Sequence, residues 1–195
     1  MIKLNDNVKR QIREWTESIV IAVVLALLIR TFVVQAFKIP SGSMIPTFEI
    51  GDRIFVNKFI YGAKVPFVNF RLPALRQPQR GDIIVFVSPE TPNKDFVKRL
   101  IATSGETVEI KDGNIYINSR IVTDPPSIRA VFYYNRGSYG KEGEIVKVPE
   151  GHYYVLGDNS ASSRDSRYWG FVPKKNLLGR VIFIYWPIQR MRVIK

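Results

Sequence analysis

The strongest constraint on this chain is the apolar run Ile19–Ile29. It contains no polar side chain, so a helix built from it has no polar face to turn toward water. The run is interrupted by Arg30 and Thr31 and resumes through Phe32, Val33 and Val34 to Phe37. From Ser18 to Phe37 it approaches the ~20 residues that a helix needs to cross a bilayer. Arg30 would cost about 3 kcal/mol at the bilayer centre, but near one end of a span its guanidinium can snorkel to the headgroups. This places Arg30 at the exit interface. Lys3, Lys9, Arg10 and Arg13 precede the run, so the positive-inside rule keeps the N-terminus in the cytoplasm. The expected organisation is a cytoplasmic segment at 1–17, a transmembrane anchor at 18–37 and an extracytoplasmic domain at 38–195. Ile19–Ile29 also has the length of a signal-peptide core, with small residues at Val34-Gln35-Ala36 where a cleavage site would fall. The sequence leaves open whether the N-terminal segment is retained in the mature protein.

The formal charge of +12 favours anionic partners, and anionic lipid at a bilayer surface is the expected one. Lys and Arg are scattered without a basic block, and no nucleic-acid-binding signature is present, so no nucleic-acid partner is expected. The absence of cysteine removes thiolate chemistry and Cys-based zinc sites. His152 is the single histidine, and no acid stands beside it in sequence to complete a Ser-His-Asp triad. No metal and no cofactor are expected, and nothing in the sequence specifies an oligomeric state.

Beyond the apolar run the signals are those of strands. Arg53–Phe59 and Asp82–Val87 each follow a turn, and Asp95–Ile101 follows a loop bounded by Pro89 and Pro92. Val108–Ile117 reads as a hairpin about Asp112-Gly113, a pair suited to a type I′ turn. Asn118-Ser119 then turns into a third strand, Arg120–Val122. Residues 61–80, with Pro66, Pro73 and Pro78, read as a long irregular connection and a second candidate surface for lipid contact. Residues 123–144 read as a small lobe, and Val146–Val148 and Tyr153–Leu156 return to strand pattern. Arg180–Trp186 is apolar enough for a strand buried on both faces. The fold class expected is therefore mostly β: an antiparallel β-sheet domain with a small β insert at about 106–152, preceded by one transmembrane helix.

Three polar features stand out. Pro40-Ser-Gly-Ser-Met-Ile-Pro-Thr47 is a constrained loop in which two prolines fix φ, Gly42 frees one, and Ser41 and Ser43 carry hydroxyls. Alone it could be a serine-capped surface turn. A hydrolase using Ser43 would need a base other than His or Cys, and a lysine stripped of water can serve. Lys98 fits because Phe96, Val97, Leu100 and Ile101 surround it, and strand alternation puts it on one face with Phe96 and Leu100. A solvated strand lysine is the simpler alternative. The third feature, Gly157–Gly170, packs hydroxyls, carboxylates and guanidiniums together. Asp158, Asn159 and Asp165 could merely cap turns there, Asp165 and Arg167 could form a surface ion pair, and the interleaved basic residues argue against calcium.

In order, Phe37–Thr47, Gly51-Asp52-Arg53, Arg80–Phe86, Asp95-Phe-Val-Lys-Arg99 and Gly157-Asp-Asn with Ser-Arg-Asp-Ser-Arg167 closely resemble the type I signal peptidases of bacteria. These are membrane-bound serine endopeptidases that remove leader peptides from exported preproteins. Trp169–Pro173 and the preceding anchor extend the resemblance over nearly the whole chain. It implies Ser43 as nucleophile and Lys98 as general base, with the Ser43 N–H and Ser41 hydroxyl as oxyanion hole. It implies further that Ser163 orients the Lys98 amine, that Asp165 and Arg167 brace the site and that Asp158 supports the same loop. Ile39, Pro40, Met44, Phe96 and Val97 would line shallow pockets for small side chains, beside which the preprotein binds as an added strand along residues 38–41 and 95–97. The implied location is the bacterial cytoplasmic (inner) membrane, single-pass, with the catalytic domain outside. Relatives of the proteobacterial kind often carry a second span and a large insert; one span and a short insert are read here, and the organism class stays open. Two alternatives remain: a self-cleaving repressor-type Ser/Lys peptidase, and a membrane-anchored basic β-domain that binds lipid or acidic partners without catalysis.

Overall fold

A computed structural model describes residues 6–65, 68 and 70–194. Lys3 and Pro66, named in the sequence reading, lie outside the described residues. Helix α1 spans Asp6–Leu28 and passes into a π-helical turn, Ile29–Val33, closed by the Val34 N–H donating to the Ile29 carbonyl. Together they give one helix long and apolar enough to cross a membrane. The helix does not continue to Phe37 as the apolar run suggested. Val34–Lys38 forms strand β1, which pairs antiparallel with β2, Arg53–Asn57, from Val34 opposite Asn57 to Lys38 opposite Arg53. Tertiary pairing overrides the hydropathy of Val34–Phe37, because the partner strand satisfies the backbone groups that a further helical turn would have satisfied internally.

The remaining strands are β3 (Ile83–Val87), β4 (Asp95–Ala102), β5 (Thr107–Lys111), β6 (Asn114–Ile117), β7 (Arg120–Ile121), β8 (Val146–Lys147), β9 (His152–Leu156), β10 (Val172–Pro173), β11 (Leu177–Trp186) and β12 (Arg192–Val193). The main sheet runs β1-β2-β11-β3-β4-β9-β10, with β12 against β11, and a second sheet runs β7-β6-β5-β8. All the pairings within the two sheets are antiparallel. The architecture is that of a mostly antiparallel half-barrel carrying a smaller β-sheet insert. The second sheet forms where the sequence demanded it: Asp112 and Gly113 both have positive φ, as a type I′ turn requires, and Asn118 and Ser119 repeat the device. Two single-turn helices, α2 (Pro126–Arg129) and α3 (Ser166–Trp169), are too short to have left a periodic signal.

Alternation along the central strands divides the core. Ile83 and Val85 point into one cluster with Ile54, Val56 and Val181, while Ile84 and Phe86 point into another with Leu100, Tyr153 and Val155. The strands buried on both faces are thus β3, β9 and the second half of β4, and not β11 as its composition suggested. In β11 the buried positions are Leu177, Gly179 and Val181 and then, past a bulge, Ile184. The opposite face is apolar for another reason, since Tyr185 stacks on Phe55 with ring centroids 4.3 Å apart. A third cluster, with Ile101, Tyr154 and Leu156 on one side and Val108, Ile110 and Ile117 on the other, fastens the second sheet to the first.

Candidate active site

The Pro40–Thr47 loop is pinned at both ends by apolar anchors. Ile39, Met44 and Phe48 are buried, and each such side chain contributes about 1.5–3 kcal/mol when fully removed from water. Between them Gly42–Met44 makes one 3-10 turn, with the Ile45 N–H donating to the Gly42 carbonyl at 3.2 Å. The turn lifts Ser43 toward β4. There the Lys98 ammonium nitrogen lies 2.5 Å from Ser43 Oγ.

Lys98 is 4% exposed, so the solvated-lysine alternative does not hold. Burial pushes its pKa from 10.5 down to about 8, against the opposing pull of the Asp165 and Asp158 carboxylates and with the Arg167 charge adding to the depression. The amine also sits 5.8 Å from the centre of the Phe96 ring. An amine with that pKa is neutral in about one molecule in ten at pH 7, enough to accept a proton from the hydroxyl it touches.

Behind this pair lie two buried ion pairs. Asp165 and Arg167 are fully buried, not a surface pair: Arg167 donates to both oxygens of Asp165 at 2.8 and 2.9 Å. Arg167 also donates to the Ser160 hydroxyl and to the carbonyls of Tyr134, Ser160 and Ser163, tying the insert to the loop after β9. Asp165 caps α3 through the Arg167 N–H and accepts from the Gly157 N–H at 3.0 Å. Asp158 accepts a two-pronged contact from Arg99, at 2.8 and 2.6 Å, and a 2.5 Å bond from the Thr47 hydroxyl. The sequence reading gave no role to Arg99 or Thr47. Arg99 was discoverable in principle, because alternation puts it on the face opposite Lys98 with a charge to bury.

Asn159 was also missed. Its N–H donates to the Ser43 carbonyl and its Nδ2 to the Gly42 carbonyl, both at 3.0 Å. Ser163 is where the loop needed it, buried and close to Gly157. Its hydroxyl has no hydrogen-bond partner, however, so the expected hold on the Lys98 amine is not formed. Ser41 is exposed on the lip of the site, in extended conformation just before the turn. His152 lies away from these residues, its Nδ1 engaged with the Glu150 carbonyl at 2.8 Å.

Ser43 and Lys98 open into a groove of about 780 Å³. Ile39, Pro40, Met44, Phe96 and Val97 all line it, and Lys94, Asp95 and Arg164 stand at its rim. Burial raises the pKa of Asp95. Arg164 forms an ion pair with Glu90, linking the β3–β4 loop to the loop after β9.

A hydroxyl seated on a buried, water-stripped amine at the floor of an open groove on a β-scaffold has the parts of a serine hydrolase. The profile of the family described as "Signal peptidase, peptidase S26" matches residues 12–186, and the chain belongs to that family. It is similar to signal peptidase I of Pseudomonas aeruginosa, with 33% identity over 91% of this chain and 74% of the relative. It is similar to signal peptidase I T of Bacillus subtilis, with 38% identity over 93% of this chain and 89% of the relative. A crystal structure of a signal peptidase I from Enterococcus faecalis V583 shares 37% identity, with a TM-score of 0.45, and covers 54% of this chain and 97% of that one.

Proposed function

We propose that this serine endopeptidase removes signal peptides from preproteins by means of Ser43 as nucleophile and Lys98 as general base. The observation that carries the assignment is the 2.5 Å contact between Ser43 Oγ and an amine kept from water. Neutral Lys98 takes the Ser43 proton as Oγ attacks the scissile carbonyl. The resulting oxyanion accepts from the Ser43 N–H and the Ser41 hydroxyl, one such donor being worth about 3 kcal/mol to the transition state. The Lys98 ammonium then protonates the departing amine, and the mature protein leaves with its new N-terminus. The signal peptide remains as an ester on Ser43. Lys98, neutral again, deprotonates the water that hydrolyses it.

The groove suits an extended chain. β1 is the outer strand of its sheet, and the first half of β4, Asp95–Lys98, extends beyond the β9 pairing, which begins at Arg99. A preprotein segment lying between these edges gains backbone hydrogen bonds whatever its side chains are, and the apolar lining by Ile39, Pro40, Met44, Phe96 and Val97 is where small side chains before the cut would be selected. Asp158, Ser163, Asp165 and Arg167 support the loop that holds the pair. α1 anchors the chain in the cytoplasmic membrane with its N-terminus inside and the β-domain outside, against a surface of anionic lipid that suits the charge of +12.

The test is cleavage of a preprotein in detergent by the Ser43→Ala and Lys98→Ala variants. Both are expected to lose cleavage by several orders of magnitude. Processing at the parent rate by both would overturn the assignment.

A further inference from the structure

The Asn159 side chain has no part in proton transfer, yet it grips the backbone at the nucleophile. We infer that Asn159 is a positioning residue for the oxyanion hole, acting through the peptide plane between Gly42 and Ser43. This rests on the reading of Ser43 as the nucleophile whose own N–H stabilises the oxyanion.

The cis peptide bonds are Ile45-Pro46, Asp124-Pro125 and Trp186-Pro187, so Gly42–Ser43 is trans. In a trans peptide the carbonyl and the N–H point in opposite directions within one rigid plane. Whatever holds the Gly42 carbonyl therefore aims the Ser43 N–H. Two donors hold it: the Ile45 N–H at 3.2 Å, from within the turn, and Asn159 Nδ2 at 3.0 Å, from the loop after β9. The Ile45 bond moves with the turn, whereas the Asn159 bond fixes the turn to the sheet. The following plane is fixed by the same residue, since the Asn159 N–H donates to the Ser43 carbonyl at 3.0 Å. One asparagine thus pins the peptide units on both sides of the nucleophile.

The neighbouring bonds make this anchor stiff. Asp158, the adjacent residue, is locked by Arg99 and by Thr47 at the far end of the same loop. There is little room beside Gly42 for a side chain that would disturb this arrangement: a Cβ there would meet Ile45 Cδ1 at 3.0 Å. A hydrogen bond accepted by the carbonyl also polarises the amide, strengthening the N–H at its other end as a donor. The Gly42 plane is therefore both aimed and polarised for negative charge, which develops on the substrate oxygen only in the transition state.

An interaction made only in the transition state lowers kcat and leaves KM alone when it is lost. Asn159→Ala removes Nδ2 and keeps the backbone bond to the Ser43 carbonyl. It is expected to lower kcat roughly 10- to 100-fold, less than the ~10²–10³-fold cost of deleting an oxyanion donor outright. KM should hold within about twofold, and the pH midpoint of kcat should not move, because Lys98 is untouched. Affinity for an alanine-terminated peptide boronate, whose tetrahedral adduct on Ser43 presents an oxygen to the hole, should fall in parallel with kcat. Asn159→Leu, which keeps the bulk without a donor, should repeat the pattern and serves if the alanine variant is unstable. An unchanged kcat in either variant overturns the inference, as does a shifted pH midpoint or a matching rise in KM. Ser43→Ala is the control: if it still cleaves, the underlying reading of the nucleophile fails, whereas an inactive Ser43→Ala beside a fully active Asn159→Ala removes only the role of Asn159.

Discussion

Lys98 carries a cost in the folded state that its proposed role as base requires. In the unfolded chain its pKa is 10.5, and in the fold burial brings it to about 8, so the native state binds the proton more weakly. The unfolded state therefore holds more protons at any pH between those values, and native stability rises with pH through that window. Below about pH 8 the full penalty applies, about 3 kcal/mol at 1.36 kcal/mol per unit. Lys98→Met, of similar length and without charge, is accordingly expected to be inactive yet more stable than the parent at pH 7 by about 2 kcal/mol, after allowance for the lost bond to Ser43. The advantage should shrink toward pH 10, and chemical denaturation of both proteins in a mild detergent at the two pH values checks it. In the proposed mechanism the same proton sets the activity. kcat should climb about tenfold per pH unit below pH 8 and level off above it, and a profile flat well below neutrality would exclude neutral Lys98 as the base.

The elements around the pair leave no slack, and Gly157 shows how little. It follows β9 at the point where the chain turns beneath Ser43, and a Cβ added there would lie 2.5 Å from the Ser43 carbonyl and 2.2 Å from Ser163 Oγ. The obstacle on one side is the backbone of Ser43, the proposed nucleophile, so the loop must shift. Gly157→Ala is expected to reduce kcat/KM roughly 10²-fold, the cost of a displacement near 1 Å at a reacting group, while the protein remains folded. A far-ultraviolet spectrum matching the parent, together with peptide cleavage rates, tests this. These close approaches also mark what could be read beforehand. The constrained Ser43 loop and the inward strand position of Lys98 were legible as local patterns, but those patterns left a capped turn and a solvated lysine open, and only the order of motifs brought the two side chains together. The Asp112-Gly113 hairpin was legible because its turn needs positive φ. The pair of Asp165 with Arg167 was legible as a pair but not as a buried one, and the buried pair of Arg99 with Asp158 was not legible, since ion pairing between a strand and a distant loop depends on register. Nor was the end of the helix, because Val34–Phe37 is apolar in either conformation and only the pairing with β2 decides between them.

On the scale of the molecule, the anchor and the β-domain share a seam but hardly any core. Asn7–Arg30 are exposed along their length, so this helix buries almost nothing against the sheets. The join is made of backbone: the Val33 carbonyl accepts from the Lys58 N–H at 2.9 Å, and β1 begins at the next residue. Lys58 itself has its pKa lowered, first by burial and then by the charge of Arg30, which places two cations together where the helix meets the domain. Val34 to Ile39 is then a short, paired run that leads directly into the Ser43 loop, so the helix end and the groove are joined by paired backbone. It follows that the helix contributes location and little stability. Deleting residues 1–30 should leave the unfolding free energy of the remainder within about 0.5 kcal/mol of the parent, the range for surface changes. It should also leave cleavage of a short soluble peptide near the parent rate, because β1, the Ser43 loop and Lys98 are all retained. Cleavage of a preprotein embedded in vesicles should fall at least tenfold, since enzyme and substrate no longer share a surface. Parallel assays of the two substrates decide the matter: equal losses on both would mean that the helix shapes the site itself, and equal retention on both would mean that the anchor does not present the groove to its substrate.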